Sequence, residues 1–352
     1  MTVFFLNCPA KSFTGGHKYN DDFMSYLSSY TGWNIVRTPN CALTYPSFRK
    51  FYAPFAELKW LKRFQSGDIV FLYDSCSKYH FLLALLANLF CGVSLVSIIH
   101  HFQYLERRKT FRFFHKFIQY VYFRTCDFLI VPSPFTLSIS KKLFTNTKIV
   151  YVPIPFEKNF SISSRYEKGS FLFVGTVEPR KGLAYLIEAI GKVKMKKPNL
   201  KIHLNIVGKI VDSDYYNKLL LCAMNSDVRD VVKFWNRVPE DLLNDMYNKA
   251  DLFIFPSLLE GYGMVLIEAM SHGIPVVAFN NSAMPYTIQD GVNGLLANDK
   301  DAESLAEKIL LICGNDSLRM KLQLGMKATV NDLKTRSDFE EGVRQFVRAV
   351  RI

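Results

Sequence analysis

Pro256-Ser257-Leu258-Leu259-Glu260-Gly261-Tyr262-Gly263-Met264-Val265-Leu266-Ile267-Glu268-Ala269-Met270 is the stretch on which the fold is decided. It follows an apolar run, Leu252-Phe253-Ile254-Phe255, which reads as a buried parallel strand. Two glycines bracket Tyr262, and good helix formers continue to Ser271-His272-Gly273. Strand, glycine turn and helix aim backbone N–H groups and a helix N-terminus at an anion. Glu260 and Glu268 stand beside that anion site. Carboxylates repel phosphate, so hydroxyls are their partners, and a nucleotide sugar offers both groups. A capping Glu260 and a solvated Glu268 would explain the same spacing.

The pattern repeats outward. Phe171-Leu172-Phe173-Val174-Gly175 is a strand, followed by Thr176-Val177-Glu178-Pro179-Arg180-Lys181-Gly182 and a helix over Leu183 to Lys196. Cations at a helix start oppose its dipole, so Arg180 and Lys181 point to an anion shared with the N–H groups. Further strands are expected at Ile202–Val207, Val231–Trp235 and Ile274–Phe279, with helices after Asp212 and from Pro239 to Asn248. Asp212 and Asp214 resemble a metal–diphosphate pair, yet their place before a helix makes Asp212 a cap. Asp290-Gly291-Val292-Asn293-Gly294 is a turn, and three helical stretches close the chain.

The N-terminal half alternates in the same way. Val3–Leu6, Asp68–Tyr73, Phe128–Val131 and Lys148–Val152 read as strands. The loop Phe13-Thr14-Gly15-Gly16-His17 leads to a helix over Asp21 to Tyr30, and its glycines let backbone approach a ligand. Arg49 to Phe64 is basic and aromatic with helical spacing. Phe81 to Ile99 holds nineteen residues without a charge, long enough for a membrane span. Asn88 and Cys91-Gly92 interrupt it, so a buried helix followed by a buried strand is expected. His100 and His101 follow that strand at the sheet's carboxyl end. Within Glu106 to Asp127, Phe111, Phe114, Ile118 and Val121 make a core stripe, leaving Phe113, Phe117, Tyr120 and Phe123 in excess. Pro132-Ser133-Pro134 reads as a turn.

Two such halves in 352 residues predict an α/β protein of two doubly wound Rossmann-like domains facing across a cleft. The expected division is residues 1–155, a linker over 156–169, a second domain over 170–335, and a C-terminal helix over 336–352 that packs back on the first domain. Hydrophobic residues make up 49% and charged residues 21%, which supplies two cores and excludes a disordered chain. The net charge is +13, and residues 1–150 carry 18 Lys/Arg against 7 Asp/Glu, a net of +11. That imbalance among aromatics fits an anionic, partly apolar partner such as a membrane surface. Seven scattered cysteines without a Cys-x-x-Cys pair argue for reduced thiols in the cytoplasm. No signal peptide is expected, since the segment from Met1 to Asn7 is short and lacks a basic start.

From Phe171 to about Leu296 the chain resembles the donor domain of retaining glycosyltransferases of family 4, of the glycosyltransferase group 1 type, which have the GT-B fold. The resemblance rests on Pro179-Arg180-Lys181-Gly182, Ala250-Asp251, Pro256-Ser257, Glu260-Gly261-Tyr262-Gly263, Glu268-Ala269-Met270, Gly273-Ile274-Pro275-Val276-Val277 and Asp290-Gly291-x-x-Gly294. The N-terminal half matches more loosely, through Gly15-Gly16, His100 and Asp127. The resemblance implies that Glu268 holds the ribose hydroxyls and Glu260 the sugar near its 3- and 4-hydroxyls. Arg180 and Lys181 would clamp the diphosphate, and backbone over Gly261, Tyr262, Gly263, Met264 and Val265 would bind the transferred sugar or phosphate. Gly15 and Gly16 would approach the phosphates, and His100, rather than His101, would sit by the sugar. Thr176 replaces a frequent arginine, and Tyr286 after Pro285 replaces a frequent glutamate.

The expected reaction is metal-independent, retaining transfer of a hexose, with a lean to mannose, from a nucleotide sugar to a glycan or lipid-linked acceptor. No cofactor and no nucleic-acid partner are expected. The cysteines suggest a cytoplasmic location, and the charge a peripheral position on the inner face of a membrane. The rival readings are a sugar-phosphate synthase or epimerase of the same fold, and a basic nucleic-acid-binding protein without catalysis.

Overall fold

The computed structural model describes residues 1–6, 15–38, 58–73, 77–106 and 109–351. It divides into two units, Met1–Phe156 with Lys334–Ile352, and Glu157–Leu333.

The first unit is built from β1 (Thr2–Leu6), α1 (Gly15–Thr31), β2 (Asn34–Thr38), β3 (Ile69–Tyr73), α2 (Ser77–Cys91), β4 (Ser94–Ile98), α3 (Lys109–Arg124), β5 (Phe128–Val131), α4 (Pro134–Leu143) and β6 (Lys148–Tyr151). Its six parallel strands run in the order β2-β1-β3-β4-β5-β6. Val3 pairs with Ile69 across the β1–β3 step, where the strand order reverses. Continuous apolar strands such as Phe128–Val131 are buried throughout, as strands covered on both faces require.

The second unit continues with β7 (Ser170–Val174), α5 (Leu183–Lys196), β8 (His203–Val207), α6 (Ser213–Asn225), β9 (Val232–Trp235), α7 (Glu240–Lys249), β10 (Leu252–Phe255), α8 (Met264–Ser271), β11 (Val276–Phe279), the single turn α9 (Met284–Thr287), β12 (Leu295–Ala297), α10 (Ala302–Cys313) and α11 (Asp316–Asn331). The strand order is β12-β11-β10-β7-β8-β9, again all parallel, so the reversal lies between β7 and β10. Ligands of open α/β sheets bind beyond the strand carboxyl ends at such a reversal. Two doubly wound parallel sheets are therefore what the sequence pattern anticipates.

The C-terminal helix α12 (Arg336–Val350) belongs with the first unit. Its Phe346 packs on Phe71 of β3 and Phe128 of β5, and Phe339 meets Tyr19 and Phe23 of α1. Backbone N–H of Phe156 donates to Lys334 O at 2.8 Å, which brings the helix's approach beside the end of the first unit.

Local readings of the first unit need correction. Gly15 and Gly16 form the first turn of α1 rather than a loop before it, while Phe13 and Thr14 lie outside the described residues. Of the stretch Arg49 to Phe64, positions 49–57 lie outside them, and Leu58–Arg63 is a 3-10 helix with Trp60 buried. The strand β2 and the helix α4 escape the sequence reading. Ser133, read as a turn, caps α4 by accepting from the Thr136 N–H at 3.1 Å. Among the described side chains of α3, Gln119, Tyr122 and Phe123 are buried and Ile118 and Val121 half-buried; those of Phe111 and Phe114 lie outside the described residues. Phe123 turns inward against Phe102 and Phe144. The uncharged run Phe81 to Ile99 is divided between α2 and β4. Among the described residues no helix is long and apolar enough to cross a membrane.

Candidate donor site at the β7–β10 reversal

The loops after β7 and β10 are zipped together. Leu258 N–H donates to Arg180 O at 2.8 Å, and Arg180 Nη1 donates to Leu259 O at 2.8 Å. Gly182 makes this approach feasible. Its φ is +67°, and a Cβ there would lie 2.0 Å from Pro256 O. Arg180 and Lys181 occupy a 3-10 turn, Pro179–Lys181, that precedes α5 rather than forming its first turn.

Glu260 is the hub. Its Oε1 accepts from Lys181 Nζ at 2.5 Å, Ser257 Oγ at 2.8 Å and Arg180 Nη1 at 3.3 Å. Its backbone N–H donates to Ser282 Oγ at 3.0 Å. Burial alone would push the carboxyl pKa up; the charges of Lys181 and then Arg180, with hydrogen bonds from Lys181 and Ser257, hold it below the usual carboxylate range. Glu260 therefore stays ionised. All three donors converge on Oε1, and Oε2 takes none among the described residues. That oxygen is the acceptor the site offers to a hydroxyl.

The two cations differ in access. The Lys181 side chain is 11% exposed and lies over the Phe255 ring, whereas Arg180 is 33% exposed. Arg180 Nη2 also donates to Glu178 at 2.8 Å, and Thr176 Oγ1 donates to the same carboxylate oxygen. Thr176, in the place of an arginine, thus secures Glu178, which in turn steadies Arg180.

Gly263 caps α8 in the left-handed conformation at φ +84°, with no side chain capping the helix. The first amides of α8, from Met264 and Val265, thus begin a helix beside Gly261 and Tyr262. Glu268 follows about a turn further on α8. Its Oε2 accepts from Tyr247 Oη at 2.9 Å, and His272 Nδ1 bonds Glu268 O at 2.9 Å. The Tyr247 ring is buried on α7 and stacks on His272 with centroids 4.9 Å apart. Burial and then the Glu268 charge push its phenol well above its ordinary value, so it stays a donor.

Sequence reasoning assigns no role to Ser257, Ser282, Asn281 or Tyr247. Ser282 has φ +45° without being glycine, and Asn281 Nδ2 bridges Ser257 O and Asp299 Oδ1. The polar run Asn280-Asn281-Ser282 after β11 marks a loop in the sequence, but nothing local says that it holds Glu260. Tyr286 lies on α9 and is largely exposed. Asp251 and Asp290 of the quoted motifs are structural. Asp251 is buried, pairs with Arg319 and accepts from the Gly169 N–H, and Asp290 accepts from the Leu296 N–H. Asp212 caps α6 by accepting from the Tyr215 N–H. Among the described residues no cluster of His, Cys, Asp and Glu could hold a metal ion.

The first unit brings together Gly16, Asn20 and His100. His100 follows β4, and its Nε2 lies 2.8 Å from Asn20 Oδ1. A Cβ at Gly16 would meet the His100 ring at 3.4 Å. The Tyr19 ring meets it edge-on. Asn20 is buried, and its Nδ2 has no partner among the described residues. Asp127 Oδ2 accepts from the Leu95 N–H, so this acid ties β5 to β4 rather than facing a ligand.

Residues 156–327 match the family described as glycosyl transferases group 1. Over those residues the chain is similar to a glycosyl transferases group 1 domain. Over 173 residues it is 28% identical to the O-antigen chain mannosyltransferase B of Escherichia coli, a match covering 48% of this chain and 44% of that enzyme. The matches to the first curated relatives span less than half of their length. Among solved structures, the sucrose-phosphate synthase of Thermosynechococcus elongatus superposes with a TM-score of 0.79 at 18% identity, covering 99% of this chain and 98% of that one. The Anabaena protein HepE, solved with UDP and glucose, superposes with a TM-score of 0.73 at 17% identity, covering 99% of this chain and all of that one, 100%. The group 1 glycosyl transferase fold, GT-B, is thus the architecture of this chain.

Proposed function

We propose that this protein is a retaining glycosyltransferase that moves a hexose from a nucleoside-diphosphate sugar to a glycan or lipid-linked acceptor. The observation that carries the proposal is Glu260, ionised and fixed through Oε1, with Oε2 left for a hydroxyl beside the uncapped N-terminus of α8. A carboxylate held in this way reads sugar hydroxyls, and a bare helix N-terminus reads phosphate.

In this reading Glu268 accepts the ribose hydroxyls, and Tyr247 holds its carboxylate in place. The leaving group is a nucleoside diphosphate, and charge grows on it as the glycosidic bond breaks. Arg180, the more accessible cation, reaches the diphosphate, while Lys181 keeps Glu260 in position. With the first amides of α8 they stabilise the departing charge without calling on a metal. Removing one such preorganised donor costs about 3–4 kcal/mol of barrier. His100, oriented by Asn20, sits in the first unit as the group proposed to face the sugar, with Gly15 and Gly16 next to the phosphates. Mannose is the favoured sugar, in line with the mannosyltransferase among the relatives.

The test is a panel of nucleotide sugars, scored by protection against thermal unfolding and by release of nucleoside diphosphate. One donor should raise the melting temperature and be slowly hydrolysed, with both effects lost in Glu260→Gln. A melting temperature unmoved by every nucleotide sugar overturns the proposal. Product formed with a sugar phosphate as acceptor would make the protein a sugar-phosphate synthase.

A further inference from the structure

One face of α3 lies outside the donor chemistry. Phe113, Lys116, Phe117, Tyr120 and Arg124 recur at intervals of three and four, so they share one side of the helix. Tyr122 is buried on the opposite side, and Gln119 and Phe123 are buried on the flank between. Phe113 is 81% exposed and Phe117 58%, and Lys116 and Arg124 are exposed beside them. Arg124 Nη1 donates to Tyr120 Oη at 2.9 Å, which holds that cation on the aromatic face. The helix contains no acidic residue. The neighbouring helix α2, which packs on α3, ends in Leu89 and Phe90, both largely exposed.

Water is a poor environment for such a face. Two phenylalanines one turn apart, flanked by cations, match the boundary of an anionic bilayer, where rings enter the headgroup–acyl region and cations meet phosphates. The excess charge of +11 in residues 1–150 attracts the same surface. Single-stranded nucleic acid instead takes a basic groove with stacking platforms, and α3 offers the convex side of a helix.

We propose that the Phe113–Phe117 face of α3 docks the protein on an anionic lipid bilayer, with Lys116 and Arg124 at the headgroup phosphates.

The test is sedimentation of the full chain with vesicles of phosphatidylcholine alone or mixed with phosphatidylglycerol, at moderate salt. The parent should partition at least tenfold more strongly onto the mixed vesicles, with the preference falling as salt rises. A Phe113→Ser/Phe117→Ser variant should lose about tenfold or more of that binding. Lys116→Gln and Arg124→Gln should each lose about fivefold. All three variants should keep the parent's melting temperature and its protection by nucleotide sugar, because the changed side chains are solvent-facing. Equal sedimentation with and without phosphatidylglycerol overturns the proposal, as does a double variant that binds like the parent. A parent that dimerises through this face, with the dimer lost in the double variant, or one that binds an oligonucleotide in preference to the vesicles, overturns it too.

Discussion

The hydroxyl of Tyr247 lies 2.9 Å from Oε2 of Glu268, and the two residues come from neighbouring helices, α7 and α8. The ring is buried between Phe253 and His272. The phenol fixes the plane of the Glu268 carboxylate on this short helix.

Tyr247→Phe removes that one hydrogen bond and leaves the ring packing intact. Hydrogen bonds to charged groups contribute about 1.5–3 kcal/mol, so nucleoside diphosphate affinity should fall about tenfold or more. Calorimetric titration measures it. The variant should remain folded at the temperature of the titration, which separates loss of positioning from loss of fold.

Glu260→Gln leaves Lys181 and Arg180 facing a neutral amide in a largely buried site. Breaking such a pair from one side costs about 3 kcal/mol. The pH dependence has a definite sign. The folded-state pKa of Glu260 lies below its ordinary value, so its contribution is present above the ordinary carboxyl range and is lost as pH falls through the folded value. Denaturant titrations across the acid range should show the parent losing stability there, and Glu260→Gln should lack that component.

Gly182→Ala puts a methyl group 2.0 Å from Pro256 O at a φ of +67°. The two loops must then separate, at a cost of roughly 3 kcal/mol or more. Chemical denaturation measures the loss, and donor protection should disappear with it even where the protein remains folded.

His100→Ala should lower turnover by about a hundredfold, the scale of a lost polar contact to a reacting group, while nucleoside diphosphate affinity stays within about twofold. Asn20→Ala should produce a smaller loss in the same direction, because it removes the amide oxygen 2.8 Å from the imidazole. Steady-state kinetics alongside nucleotide titration separates the two quantities.

The alternation of strand and helix made the two sheets legible, because continuous runs such as Leu252–Phe255 are what strands buried on both faces require. Helix α5 was legible to the residue, whereas α4 hid behind Pro132-Ser133-Pro134, which serves a turn and a capped helix start equally well. In the site, Glu260, Glu268, Arg180 and Lys181 stood out because charged residues beside glycine turns have no reason to be in a core. Ser257, Ser282 and Tyr247 did not. Ser282 and Tyr247 are held by partners distant in sequence, Ser282 by Glu260 and Tyr247 by Glu268. Pairing across loops is a property of the sheet order, and no local pattern carries it. The pairing of Lys181 with Glu260 belongs to the same class: spacing suggested separate phosphate and hydroxyl sites, and the fold joins them at 2.5 Å.

The central claim is that Glu268 takes ribose hydroxyls while the α8 N-terminus and Arg180 take phosphate. Its most direct test is calorimetric titration of the best-binding nucleoside diphosphate and its 2′,3′-dideoxy counterpart into the parent and Glu268→Ala. The account predicts that removing the hydroxyls weakens binding to the parent about tenfold or more and leaves binding to Glu268→Ala unchanged. A Glu268→Ala protein that binds the intact nucleotide as tightly as the parent would contradict it.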